Sequence, residues 1–426
     1  MNRRKFLLSS GGLLGLTVVG EFPGMRLLAN ADESLTPGGP KKFFVLIRAQ
    51  LGWDVTLGLD PQIMPAGCTE NDMFIEYRPE DIFSSGTLRL GPAATAMRPY
   101  ASSMATVNGV FMSDSNVDHG RNLNYATAGS TNDGSASLAV DIASHSSVGR
   151  FGVIFDADLN TGDNPTVMTT TFTNLNSLAN GVSLNSIRDF LASIGNGGAL
   201  GKAQSTYLNG SAEIDALKSL MTARNSNSQN SGDRSDTTNN AILAASGFAS
   251  GCANQAQFTI SEDLDTHSDH PVRHLKGQTK VWEQVASICD AFKQTPFGSA
   301  GSNLFDHTTF MVVSEFSRTP ALDGSRGKDH NPFTNSVLLM GNGIVGESSI
   351  GQSHLIPRNR TANGIPRHVS SLYNYESGKI ASSKVEASQH GYEFIRPENV
   401  AATVRSILGV GSPDESLALK RIIKSV

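Results

Sequence analysis

Three observations predict an α/β fold in which a mainly parallel sheet is covered by helices on both faces. First, short continuous apolar runs recur along the chain, at Phe43 to Ile47, Ala105 to Met112, Thr309 to Val313 and Val337 to Met340. Strands buried on both faces read this way, whereas a half-exposed strand would alternate. Second, amphipathic helical stripes separate some of these runs. Third, acids and histidines cluster directly after the runs, where loops beyond the ends of parallel strands converge on one crevice.

The first run ends in Gly52-Trp53-Asp54, which puts Asp54 in the loop after the strand. The second leads into a polar stretch through Gly129. From Asn160 to Thr237 the composition turns to Asn, Ser, Thr and Gly, with a flexible surface loop read at Asn225 to Arg234 and a helix at Ala212 to Met221. The stretch of about 160–250 is therefore expected to be a Ser/Asn-rich insertion or cap. Pro271 opens a helix whose apolar stripe is Leu275, Trp282, Val285, Ile288, Cys289 and Phe292. Near the end, Pro397-Glu398-Asn399 opens another, closed by Gly409.

The N-terminus reads as an export signal. Arg3-Arg4-Lys5 precedes a short apolar run ending near Val19, and Ala29-Asn30-Ala31 suits signal peptidase. The run is too short to span a bilayer. The paired arginines resemble the twin-arginine address, so residues 1–31 are expected to be removed and 32–426 to form the mature domain. The expected partners in export are the twin-arginine translocase and signal peptidase, the location is periplasmic or secreted, and no mature transmembrane anchor is expected.

Residues 1–31 carry Arg3, Arg4, Lys5, Arg26 and Glu21, a net of +3, so removing them takes the formal charge from −5 to −8. A mildly acidic chain without basic runs is a poor nucleic-acid binder. Only Cys68, Cys252 and Cys289 are present, which excludes a disulfide scaffold, a zinc knuckle and a haem or iron–sulfur motif. At most one bridge can form.

The chemistry-bearing residues are Asp54, Asp265, His267, Glu315, Asp329 and His330, each close after a predicted strand. Asp, Glu and His together suit a divalent ion: zinc foremost, with manganese, magnesium or calcium as alternatives. Such an ion polarises an ester oxygen and lowers the pKa of water. Spacing alone leaves the bland alternatives open, because an Asp after a strand commonly caps a helix and a loop His commonly faces solvent.

The longer motifs are more specific. Leu264-Asp265-Thr266-His267, Ser314-Glu315-Phe316-Ser317-Arg318-Thr319-Pro320, Gly327-Lys328-Asp329-His330-Asn331-Pro332 and the segment Arg396 to Thr403 occur in order. The set resembles the exported bacterial domain-of-unknown-function family fifteen-oh-one, grouped with alkaline phosphatases and sulfatases, over about Phe43 to Gly411. That resemblance implies an alkaline-phosphatase-like fold. It also implies metal ligands at Asp54, Asp265, His267, Glu315 and His330, with Asp269 or His270 as alternative partners for Asp265. Phe316 stands where the superfamily has a second ligand, which weakens the case for two metals.

The implied nucleophile is a serine near the helix after the second strand, Ser115 first and Ser113 second, with His119 beside it. The alternative role for Ser115 is a helix cap. Arg318 or Arg121 would bind a small anionic ester substrate. A formylglycine sulfatase is not expected, because that chemistry needs a Cys or Ser followed by x-Pro-x-Arg, whereas Cys68, Cys252 and Cys289 are followed by Thr69, Ala253 and Asp290. The expected function is hydrolysis of phosphate or sulfate esters. The competing expectation is a non-catalytic exported binding or assembly protein that keeps the fold.

Overall fold

The computed structural model describes residues 43–424 apart from 133, 146–150, 163–166, 168, 181–214, 222–235, 300, 390 and 412–413. The export signal and the loop at 225–234 lie outside the described residues.

Eight strands form the central sheet: β1 (Phe43–Gln50), β2 (Met104–Asn108), β3 (Phe151–Phe155), β4 (Thr169–Thr171), β5 (Ala253–Ser261), β6 (Thr308–Val313), β7 (Ser336–Gly341) and β8 (Ser348–Gly351). Their order across the sheet is β8-β2-β7-β6-β1-β5-β3-β4. All pairings are parallel except those of β7 with β6 and with β2. The mainly parallel α/β fold is thus present, with β7 as the one reversed strand.

The alternation of β1 shows why continuous apolar runs were needed. Phe43, Val45, Ile47 and Ala49 enter one core, while Phe44 and Leu46 enter the other. On the first face pack α4 (Asp236–Ala249) and α5 (His270–Lys293). On the second pack α1 (His119–Ala128), α2 (Leu138–Ser144) and α6 (Pro397–Leu408). Burial of two apolar faces in this way is the main stabilising contribution. Trp53 and Trp282, stacked with centroids 5.4 Å apart, tie the exit of β1 to α5.

Several boundaries moved. The second strand stops at Asn108 rather than Met112, because Gly109 takes φ +65° and turns the chain. Helix α5 starts at His270 with Pro271 in its first turn, and α6 ends on Gly409 in the left-handed conformation, both as expected. Of the described residues in the central stretch, β4 joins the sheet edge, and α3 (Phe172–Asn180) and α4 join the core around β5. Residues 215–221 are helical, and Leu217 is buried in that same core. Cys68, Cys252 and Cys289 form no disulfide with one another. Among the described residues no helix is long and apolar enough to cross a membrane.

Topology places the site. The loops leaving β1, β2, β5 and β6 emerge on one edge of the sheet. Because β7 runs the other way, the loop entering it lies on that same edge. Asp54 lies after β1, Asp265 after β5, Glu315 and His330 both in the connection from β6 to β7, and His119 opens the helix that follows β2.

Candidate metal centre

His119 is the first residue of α1. Asp118 caps that helix, its carboxylate accepting from the Arg121 N–H at 2.7 Å. Asp265 and His267 follow β5, and His330 lies in a short ribbon in which His330 and Asn331 pair antiparallel with Arg318 and Ser317. The ribbon holds the loops after β6 and before β7 together. Gly327 makes the approach to the third loop possible: a Cβ there would meet the His267 carbonyl oxygen at 2.0 Å.

Four potential ligand atoms gather at His330. His330 Nε2 lies 3.0 Å from His119 Nε2, 3.0 Å from His267 Nε2 and 3.4 Å from Asp265 Oδ1. Asp265 Oδ1 is 3.0 Å from His267 Nε2 and 3.7 Å from His119 Nε2. His119, Asp265 and His330 offer atoms mutually within 4.8 Å, a group that could hold a metal ion; His267, Asp329 and His330 form a second such group around the same histidine.

The far side of each imidazole is engaged by oxygen. His119 Nδ1 is 2.6 Å from Glu315 Oε1, His330 Nδ1 is 2.9 Å from the Val117 carbonyl, and His267 Nδ1 is 3.5 Å from Asp329 Oδ1. An acceptor on Nδ1 favours a proton there and leaves the Nε2 lone pair facing the common point, as in metal-ligating histidines. Burial, together with the charges of Arg318 and His119, lowers the pKa of His330, which favours its ligating neutral form. Burial alone would raise that of Asp265, but the hydrogen bond and charge of Arg318, with His267 and His330, hold it below the ordinary carboxylate value.

Three of the expected site residues make other contacts. Asp54 does not join the group. Its carboxylate is buried, 2.6 Å from Lys328 Nζ, and accepts from the Thr56 backbone N–H and hydroxyl at 3.0 and 2.6 Å. Lys328 thus supplies the positive charge that a metal would have supplied there. Glu315 stands behind His119 rather than beside the ligand atoms, taking the Leu51 N–H at 2.7 Å and the Ser314 hydroxyl at 3.0 Å. Arg318 faces inward: it is 1% exposed and donates to the carbonyls of Leu51, Gly52 and Lys328 as well as to Asp265. Those bonds engage its guanidinium within the fold.

The other candidates are also placed. Ser115 is exposed and donates to Asp114 at 3.0 Å; it does not cap α1, since Asp118 does. Ser113 Oγ accepts from the backbone N–H groups of Ser115 and Asn116. Neither hydroxyl hydrogen-bonds a ligand side chain. Phe316 packs against the imidazoles of His119 and His330, with centroids 4.9 and 4.5 Å away. Asp269 precedes α5 in the left-handed conformation without a capping bond, and His270 turns away to Asp54 at 3.5 Å.

The buried network behind the site escaped the sequence reading. Thr266 Oγ1 lies 2.7 Å from His270 Nδ1 and 2.9 Å from His274 Nδ1, while His274 Nε2 and Gln278 Oε1 accept the Asp54 N–H. The only sequence signal was the four-residue spacing of His270, His274 and Gln278 on one helical face. A separate network joins Asp60 and His368 through the Ser353 hydroxyl, 2.7 Å from His368 Nε2.

Burial pushes His270 and His368 down to about 4 and His274 well below 6.5, so all three are neutral in the fold at neutral pH. The unfolded chain protonates them near 6.5, so stability is complete above that pH and falls as pH drops toward 4. For His270 and His368 the shift corresponds to about 3 kcal/mol each. Asp60, raised to about 6, and the partly buried Glu76, raised to about 7, both by burial, have the opposite sign and offset part of the loss. Melting temperature in chelator should therefore drop steadily from pH 7 to 4.5. A flat profile would contradict the burial of neutral imidazoles.

Fold and site together define an α/β protein with a mixed eight-stranded sheet and a His–Asp–His group suited to a divalent ion. The family described as "Protein of unknown function (DUF1501)" matches this chain over residues 176–374. That span carries Asp265, His267, Glu315, Arg318 and His330, whereas Asp54, Ser115 and His119 lie before it. No curated protein matches the chain.

Proposed function

We propose that this chain is an exported, alkaline-phosphatase-like, metal-dependent hydrolase of phosphate or sulfate esters. The observation that carries the reading is the convergence of His119, His267 and His330 Nε2 on Asp265 Oδ1 at a sheet edge where strand-exit loops meet. The donor chemistry, imidazole nitrogen with one carboxylate, fits zinc best among common divalent ions. A bound ion would polarise the ester oxygen and ease deprotonation of water. The chain's own residues hold the ligand rings, through Glu315, Val117 and Asp329, and leave His267 and Asp329 on the open side of the group. Export through the twin-arginine route to the periplasm belongs to the same proposal and rests on Arg3-Arg4 and the cleavage motif.

Ser115 is the serine to test as nucleophile because it is exposed on the loop that carries Val117. The experiment is a screen of aryl phosphates, phosphodiesters and aryl sulfates with zinc, manganese, magnesium and calcium, on wild type and Ser115→Ala. Loss of most kcat in Ser115→Ala at unchanged metal content is the expected result if that oxygen attacks. Full activity in that variant moves the attack to water. The second reading, a non-catalytic binding or assembly protein, is favoured by one observation: neither serine hydroxyl touches a ligand. No turnover of any ester with any ion, in folded and metal-loaded protein, would replace the hydrolase reading with that one.

A further inference from the structure

Glu315 and Arg318 are both buried after β6, and both return to the same turn at the exit of β1. The Leu51 N–H donates to Glu315 Oε1 at 2.7 Å, and the Arg318 guanidinium donates to the carbonyls of Leu51 and Gly52, the latter at 3.0 Å. From this shared anchor the two side chains diverge. Glu315 Oε1 meets His119 Nδ1 at 2.6 Å, and Arg318 Nη2 meets Asp265 Oδ1 at 2.8 Å.

The turn itself is unusual. Leu51 has φ +79° and Gly52 φ +70°, and the left-handed region is unfavourable for a leucine. Gly52 is required for a second reason, since a Cβ there would meet the Phe316 ring at 2.5 Å and Arg318 Nη2 at 3.3 Å. Phe316 in turn lies against the rings of His119 and His330. A strained turn, an acid, an arginine and an aromatic ring therefore meet at one place, and the last three each touch the ligand group.

We propose that the Leu51–Gly52 turn, Glu315 and Arg318 form one positioning unit that sets the orientation of His119 and Asp265 before an ion arrives. The inference rests on the metal reading above. Glu315 fixes the His119 ring and the nitrogen that carries its proton, leaving Nε2 as the donor. Arg318 holds Asp265 Oδ1 in place among three imidazoles. Because both hang on one turn, weakening either side loosens the other. Outer partners of metal-bound histidines commonly contribute 10–100-fold to affinity, and this unit acts on two ligands at once.

The test is cobalt titration of the metal-free full chain, read by visible absorption, for wild type, Glu315→Gln, Arg318→Lys and the double variant, with apo-protein melting recorded in chelator. Glu315→Gln should weaken cobalt binding about 10–100-fold and alter the absorption band. A purely structural role would instead lower apo melting and leave the band of the bound ion unchanged. The double variant should lose less than the product of the two single losses, because the residues share an anchor. Wild type that binds no cobalt would overturn the metal reading and this inference with it. Wild type that binds while Glu315→Gln matches it in affinity and spectrum would overturn the positioning unit alone. If Glu315→Gln does not fold, Ser314→Ala, which removes the hydroxyl on Oε2 together with the acceptor of the Trp53 N–H at 3.3 Å, is read in its place. A several-fold weakening is then expected, and wild-type affinity would overturn the proposal.

Discussion

Replacing His330 by alanine should weaken binding of a divalent ion more than about 100-fold, beyond the range seen when only an outer partner is lost. His330 is the shared member of the group, with Nε2 within 3.4 Å of His119, His267 and Asp265 ligand atoms. Removing it takes a donor from both candidate triads. Metal binding to the native state alone adds to stability, so zinc should raise the melting temperature of wild type and hardly that of His330→Ala. The two melting curves with and without zinc check this directly. Equal zinc-induced shifts in both proteins would remove His330 from the site.

The second large effect is expected away from the ion. Lys328→Met should destabilise the fold by about 3–5 kcal/mol, because it leaves a buried carboxylate without its counter-charge. Asp54 is 1% exposed and Lys328 2%, and their charged atoms are 2.6 Å apart. Burial pushes the Asp54 carboxyl pKa up, but Lys328 and His270 more than reverse this and hold it well below 3.8. Since a depressed acid contributes stability above its unfolded pKa, the pair should support the fold from about pH 4 through neutral pH. Adding Asp54→Asn to Lys328→Met should recover much of the loss, because the unpaired charge is then gone. Urea midpoints of the two single variants and the double variant decide it. A double variant no more stable than Lys328→Met would show that the ion pair is not the cause.

Much of the fold was legible because continuous apolar runs such as Phe43 to Ile47 have few ways to be satisfied other than a strand buried on both faces. The reversal of β7 was not legible, since Val337 to Met340 reads the same in either direction. Its consequence is that His330, at the entry of a strand, joins groups at the exits of others. Asp265, His267 and His330 could be picked out as candidates because short loops after strands meet at one edge. His119 was noticed but given a different role; only the three-dimensional neighbourhood brings its Nε2 to His330. The partner of Asp54 was not legible for a physical reason. An acid after the first strand needs a buried cation, and nothing in sequence spacing says whether that cation is a metal or Lys328. Burial likewise separates Arg318 from the exposed, anion-binding arginine that its position suggested.

The site is tested most directly by diffraction from crystals soaked in zinc, collected on both sides of the zinc absorption edge. One anomalous peak per chain is expected, about 2.0–2.2 Å from His119 Nε2, His330 Nε2 and an Asp265 carboxylate oxygen. Asp54 should remain paired with Lys328, away from the peak. No peak at that point, or a peak on Asp54 with Lys328 displaced, would contradict the metal centre described for this protein.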